Sequence, residues 1–167
     1  NIMAGNFPPS TGDMLIENEP VHFTRPLQAR RHGIEVVYQD LALCDNLSAA
    51  HNVFLGRELK RGWGPFRILD SRAMYAVAGR IFSELKSETR PRDLVRKMSG
   101  GQRQAVAIAR TRLSSPKLVL LDEPTAAISI PQVGEVLDLI RKLRDGGIAV
   151  LLISHRMPDV FSVCSRI

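Results

Sequence analysis

Two short apolar segments, each followed directly by polar residues, constrain the fold of this chain more than any other feature. Residues 118–121 and 148–153 are continuous apolar runs of strand length, as expected for strands covered on both faces. Between them, Pro131 suits the first turn of a helix, and Gly146 and Gly147 suit its end. A strand–helix–strand unit of this kind joins parallel strands by a right-handed crossover. The sequence therefore predicts an α/β fold with a parallel sheet.

Helical spacing supports the crossover, since one face of this helix would carry Val133, Val136, Leu137, Ile140 and Leu143. Nearer the N-terminus, apolar residues 14–16 and 21–23 flank a turn at 17–20, which predicts a small antiparallel hairpin. Residues 34–38 have the pattern of a further strand that ends at Gln39.

The middle of the chain has a different character. Residues 47–98 are rich in helix formers, interrupted by glycine and proline at 61–65. Asp70 and Ser71 are suitable caps for a helix to about Lys86, and a second helix is predicted over 101–113. We therefore divide the chain into a β-rich part (1–46), a helical subdomain (47–113) and an α/β part (114–167).

Composition excludes several classes of protein. The net charge is +6, but the basic residues are scattered and no aromatic side chains alternate with a basic run, so no nucleic-acid partner is predicted. Cys44 and Cys164 do not form a C-x-x-C motif, which excludes the common zinc and redox motifs. The longest apolar run, 148–153, is far too short to span a membrane.

The polar residues after the two apolar segments are candidates for catalysis. Asp122 and Glu123 follow one strand, His155 follows the other, and carboxyl ends of parallel strands meet at one edge of a sheet. A magnesium ion on phosphates would compensate a buried Asp122, and Glu123 could polarise an attacking water. His155 could reach a terminal phosphate, and Gln39 could join a metal or water shell. The alternative for the two acids is a pair of helix N-caps at a strand end, and for His155 it is a capping or core-edge histidine, the more common role of a single histidine.

A second candidate site is Ser99-Gly100-Gly101-Gln102. Ser99 can cap the following helix, and two glycines let the backbone approach a bulky anion. Free N–H groups at a helix N-terminus bind phosphate readily. Arg103 opposes the helix dipole in the first turn, which predicts a nearby anion. The alternative is an ordinary glycine-rich loop before a helix.

Together these segments resemble the ATPase subunits of ABC transporters. The resemblance lies in residues 37–40 for the Q-loop, 98–104 for the signature motif, 118–125 for Walker B with the catalytic glutamate, and 154–155 for the H-loop. It implies a P-loop NTPase-like parallel sheet flanked by helices, with ATP and Mg²⁺ as cofactors.

The resemblance assigns a role to each residue at the predicted sheet edge. Asp122 and Gln39 would hold Mg²⁺, and Glu123 would be the general base. His155 would contact the γ-phosphate, and Gln39 would also sense that phosphate and couple it to the membrane partner.

The family also implies an assembly. Ser99, Gly100, Gly101 and Gln102 would contact the ATP held by a second ATPase domain in a head-to-tail dimer. Residues 33–43, 52–58, 101–110 and 153–157 further resemble importers of monosaccharides of the ribose, xylose and fructose group. A transmembrane permease, and indirectly a periplasmic sugar-binding protein, would be partners, with the chain on the cytoplasmic face of the cell membrane.

The chain departs from the family in two places. No G-x-x-x-x-G-K-[ST] sequence occurs, nor any Gly-Lys pair, and residues 1–11 resemble the segment after that P-loop. We therefore expect a truncated ATPase domain that is inactive alone. In the D-loop, 126–129, Ser129 stands where many members have aspartate. Two alternatives remain: an ABC-type ATPase of DNA repair or translation, and a non-catalytic, truncated interaction module.

Overall fold

The computed structural model describes residues 2–126 and 128–167, apart from the side chain of Pro65. The D-loop interpretation therefore falls partly on Ala127, which lies outside the described residues. The elements in chain order are β1 (Met14–Ile16), β2 (Glu19–Val21), α1 (Pro26–Arg31), β3 (Ile34–Val37), α2 (Ala49–Val53), β4 (Lys60–Arg61), β5 (Ile68–Leu69), α3 (Ser71–Glu84), α4 (Gly100–Arg112), β6 (Leu118–Asp122), α5 (Ile130–Asp145), β7 (Ala149–Ile153) and α6 (Met157–Val163), with single 3₁₀ turns at Gly64–Phe66 and Val95–Lys97.

A three-stranded parallel sheet in the order β3-β6-β7 confirms the predicted α/β fold. In its register, Val37 pairs with Leu121 and Asp122 pairs with Ile153. All three strands therefore end at the same edge, where the polar residues follow. The central strand β6 is buried on both faces, because Val119 and Leu121 pack into the main core and Leu120 packs into a smaller one.

The prediction that the last strand is covered on both faces is wrong. In β7, Val150 and Leu152 pack against the main core, whereas Leu151 and Ile153 are 38% and 44% exposed. The smaller core on that side of the sheet includes Ala4, Phe23 and Ala29, and it covers β3 and β6 rather than β7. A continuous apolar run cannot distinguish these cases, since the cover comes from distant parts of the chain.

The helices confirm most of the predicted positions. Asp70 Oδ1 accepts a 3.0 Å hydrogen bond from Ala73 N–H at the start of α3. The main core contains the whole predicted face of α5: Val133, Val136, Leu137, Ile140 and Leu143. No helix in the described part of the chain is both long and apolar enough to cross a membrane.

The structure contains the predicted hairpin with a shifted second strand, and a second hairpin that the sequence did not predict. The predicted hairpin forms, but β2 begins two residues early because Glu17 and Asn18, with φ of 53° and 67°, make a two-residue turn. Such turns favour positive φ at both central residues, as their twist matches that of the strands. A second hairpin, β4–β5, has strands of only two residues, too short for periodicity to reveal.

Candidate functional site

Glu123 and His155 contact each other at the carboxyl edge of the sheet. The backbone N–H of His155 donates to Glu123 Oε1 at 3.0 Å, and its Nδ1 lies 2.9 Å from Oε2. The Glu123 side chain is 19% exposed and that of His155 is 72% exposed. The carboxylate is therefore oriented by its neighbour, while the imidazole stays open to a ligand.

The backbone at Glu123 is unusual for a residue with a side chain. Its φ is 50°, in the left-handed region, and its N–H donates to Ile153 O at 2.9 Å. Such a conformation costs on the order of 1–3 kcal/mol and persists only where the surroundings impose it. Here the hydrogen bond continues the β6–β7 pairing for one more residue and turns Glu123 toward the loop after β7.

Asp122 and Gln39 lie at the same edge and have free polar atoms. Asp122 is half-buried and Gln39 is exposed. Neither side chain has a hydrogen bond or ion pair within the described part of the chain. That region also contains no group of three or more His, Cys, Asp or Glu that could hold a metal ion. These residues still suit Mg²⁺, which typically uses one or two protein oxygens, water and substrate phosphates.

A buried network that the sequence analysis missed joins the loops on either side of this edge. Thr125 Oγ1 donates to Asp159 Oδ2 at 2.7 Å, and Arg156 Nε lies 3.0 Å from the same oxygen. Thr125 and Asp159 are 1% and 5% exposed. Asp159 lies in the first turn of α6, a favourable place for an acid, but sequence could not reveal that it is buried.

The start of α4 is held by a reciprocal cap. Ser99 Oγ accepts from Gln102 N–H at 3.2 Å, and Gln102 Oε1 accepts from Ser99 N–H at 3.0 Å. This confirms Ser99 as the cap and adds Gln102 as its partner in a capping box. The S-x-x-Q spacing was the available signal for that pair.

Both glycines of this segment pack closely against the region around the start of α5. A Cβ on Gly100 would lie 2.6 Å from Ile128 Cγ2, and one on Gly101 would lie 2.7 Å from Glu135 Oε2. An open cavity of about 430 Å³ adjoins Gly101 and Gln102. The structure thus places Ser99–Gln102 beside α5, whereas the Glu123–His155 contact is formed by the loops after β6 and β7.

The anion predicted near Arg103 is a protein carboxylate. Arg103 Nη1 lies 2.9 Å from Asp45 Oδ1, in the segment that follows Gln39. The first turn of α4 therefore carries a cation that is paired within the chain, so its presence does not require a phosphate.

Asn52 and Arg110 also bind the segment that follows Gln39. The Asn52 amide accepts from Cys44 N–H at 2.8 Å and donates to Cys44 O at 3.0 Å. Arg110 donates to Asn52 O at 3.1 Å and to Ala42 O at 3.4 Å. Burial lowers the pKa of Arg110 from its ordinary value. These contacts tie the segment after Gln39 to α2 and to the last turn of α4.

Comparisons with known proteins agree with this geometry. Residues 1–126 match the ABC transporter family. The chain is 44% identical over 172 residues to the fructose import ATP-binding protein FrcA of Rhizobium meliloti, covering 99% of this chain and 65% of that protein. It is 38% identical to the xylose/arabinose import ATP-binding protein XylG of Sulfolobus acidocaldarius, with coverage of 99% and 65%.

Solved structures give the same result. The dimeric, post-hydrolysis state of the ATP-binding cassette MJ0796 bound to ADP and Pi has a TM-score of 0.69 and 25% identity, covering 95% of this chain and 69% of that one. The ADP conformation of the cassette MJ1267 has a TM-score of 0.79, a likeness of fold alone at 21% identity, over 98% of this chain and 66% of that one. The chain thus spans 65% of the length of both curated relatives.

Proposed function

The chain belongs to the ABC transporter family, and from this premise we propose that the intact protein is an ATP-hydrolysing subunit that powers import of a monosaccharide. The observation that carries the proposal is the contact of Glu123 with His155, directly after Asp122 at the edge of the parallel sheet. An acid, a neighbouring imidazole and a potential metal ligand suit attack of water on a terminal phosphate.

In the proposed mechanism, Glu123 is the general base. Its Oε1 is held by the backbone N–H of His155, whereas the buried Oε2 has no hydrogen bond, although it lies 2.9 Å from His155 Nδ1. Glu123 accepts the proton of the attacking water as the water oxygen bonds to the γ-phosphorus and ADP leaves, and a ring N–H of His155 donates a hydrogen bond to the γ-phosphate. Mg²⁺ bound with ATP would neutralise phosphate charge, and Asp122 and Gln39 are the residues that would hold it.

We assign Ser99, Gly100, Gly101 and Gln102 to the ATP held by a second ATPase domain. This role is supported by their position beside α5, away from the contact between the loops after β6 and β7. A head-to-tail dimer would bring this segment of one subunit to the nucleotide of the other. The two glycines at the helix start would let the backbone approach a bulky phosphate closely.

The proposed partners follow from the relatives. Their names describe import of fructose and of xylose or arabinose. We therefore propose a transmembrane permease, and indirectly a periplasmic sugar-binding protein, with the ATPase peripheral on the cytoplasmic face of the membrane and no nucleic-acid partner. Because this chain contains no G-x-x-x-x-G-K-[ST] sequence, we propose that the 167 residues alone hydrolyse little ATP.

The test is transport by the intact protein together with its permease. Proteoliposomes would be assayed for ATP hydrolysis and for uptake of labelled fructose, ribose and xylose, with and without Mg²⁺. Mg²⁺- and ATP-dependent uptake of one sugar supports the proposal. Hydrolysis without uptake of any monosaccharide would reject the transport role, and absence of hydrolysis would reject the enzymatic one.

A further inference from the structure

A short hairpin carries the most exposed aromatic side chains of the described chain. It consists of residues 59–69, called here the aromatic hairpin, in which β4 and β5 pair antiparallel. Trp63 is 91% exposed and Phe66 is 81% exposed. Both lie between the two strands, where Phe66 N–H donates to Trp63 O at 3.2 Å. Two large aromatic side chains are thus presented to solvent at one tip.

Apolar residues in and next to the two strands are exposed as well. Ile68 is 56% exposed, Leu69 is 49% exposed and Leu59 is 36% exposed. Single exposed apolar residues are ordinary, but five large ones within residues 59–69 mark a segment that contacts a partner. Because these side chains lie at the end of a hairpin and do not line a groove, a deformable partner such as a lipid surface fits them better than a rigid protein surface.

The charges of the aromatic hairpin all have one sign. Lys60, Arg61 and Arg67 are exposed, and residues 59–69 include no acid. Two acids flank the hairpin: Glu58 Oε1 accepts from Gly56 N–H at 2.8 Å, and Asp70 caps α3, so both carboxylates lie at its base rather than at its tip. Three cations therefore lie beside the two aromatic side chains, which corrects the sequence-based expectation that no aromatic side chains occur among clustered basic residues.

We propose that the aromatic hairpin inserts into the headgroup region of an anionic phospholipid membrane. Tryptophan is enriched at membrane–water interfaces, where its ring meets both apolar and polar surroundings. Exposed lysine and arginine next to such a ring are attracted to anionic lipids. The inference concerns a surface outside the candidate ATPase site, so it stands or fails independently of the proposed function.

The chain provides its own probe, because Trp63 is its only tryptophan. The 167-residue chain would be titrated with phosphatidylglycerol vesicles and, separately, with phosphatidylcholine vesicles, while Trp63 emission and acrylamide quenching are recorded. We expect a saturable blue shift and reduced quenching with phosphatidylglycerol, weakened by high salt, and a much smaller change with phosphatidylcholine.

Substitutions within the aromatic hairpin test the assignment. Replacing Lys60, Arg61 and Arg67 with glutamine should lower vesicle affinity on the order of 100-fold at low salt, at about fivefold for each cation. Phe66→Ser should weaken binding several-fold without affecting the fold, which circular dichroism checks.

Matched controls use exposed residues elsewhere. Arg31, Arg96 and Lys97 replaced with glutamine remove the same charge, and Phe161→Ser removes an aromatic side chain that is 68% exposed. Both control variants should bind phosphatidylglycerol vesicles with nearly the wild-type affinity. The proposal is overturned if phosphatidylglycerol leaves Trp63 emission unchanged, or if the control triple variant loses as much affinity as the hairpin triple variant. Equal binding to the two lipids would overturn it as well.

Discussion

Thr125 Oγ1 donates a 2.7 Å hydrogen bond to Asp159 Oδ2, which links the loop after β6 to the helix after β7. Glu123 lies in that loop, and His155 lies between β7 and that helix. Arg156 completes the link by pairing with the same carboxylate at 3.0 Å. A buried hydrogen bond between Thr125 and Asp159, which are 34 residues apart in sequence, thus stabilises the region in which Glu123 contacts His155.

We expect Asp159→Ala to lower the free energy of unfolding by about 2–4 kcal/mol, because it leaves the buried Thr125 hydroxyl and Arg156 without a partner. Urea denaturation measures the loss. Asp138→Ala is the matched control: Asp138 also pairs with an arginine three residues away, but its side chain is 59% exposed. That change should cost less than about 1 kcal/mol. Equal losses would show that Asp159 is no more than a surface partner.

In the intact protein, Glu123→Gln should lower ATP turnover by roughly 10²–10⁴-fold while ATP still binds, since the amide cannot accept the proton. Single-turnover kinetics and nucleotide binding separate the two effects. Glu84→Gln, at a side chain that is 60% exposed on α3, should leave both unchanged. Wild-type turnover in the Glu123 variant would contradict the assignment of the base.

Asn52→Ala should cost about 2–4 kcal/mol of unfolding free energy, because Asn52 is fully buried and its amide satisfies both backbone groups of Cys44. Hydrogen exchange should report faster exchange of the Cys44 amide. Asn6→Ala, which removes an exposed contact with Tyr38, provides the comparison and should cost less than about 0.5 kcal/mol. Unchanged protection of Cys44 would contradict the expected role of Asn52.

Lys117 lowers the pKa of Glu17 by hydrogen bonding, reinforced by charge attraction. Because the folded-state pKa is depressed, the stabilisation is present above the ordinary carboxyl pKa of 4.5 and is lost as pH falls through the folded value. NMR titration of Lys117→Met should show the Glu17 pKa rising toward 4.5. Glu58 is an internal control, since its pKa is lowered chiefly by the Gly56 N–H and should not move.

Local signals predicted α3, α4 and α5 well, whereas the short helices α1 and α2 were not predicted individually. Asp70 and Ser99 each accept a backbone N–H at the start of a helix, and these caps depend on a few neighbouring residues. Pro131 and Gly146 marked the ends of α5 for the same reason. The parallel sheet was also predictable, because a strand–helix–strand unit has few ways to pack. The site roles of Gln39, Asp122, Glu123, His155 and Ser99–Gln102 stay predictions. The prediction that β6 and β7 end at the same edge of the sheet is confirmed.

The sequence by itself determined the order of β3, α3, α4, β6, α5 and β7, the caps of α3 and α4, and the edge of the sheet to which Asp122, Glu123 and His155 belong. Tertiary structure alone decided that one face of β7 is exposed, that Asp45 is the partner of Arg103, and that Asp159 binds the loop that carries Glu123. The physical reason is the separation along the sequence of the residues that interact. A helix cap or a hydrophobic periodicity depends on residues only a few positions apart. Burial and ion pairing depend on which distant side chains the fold brings together.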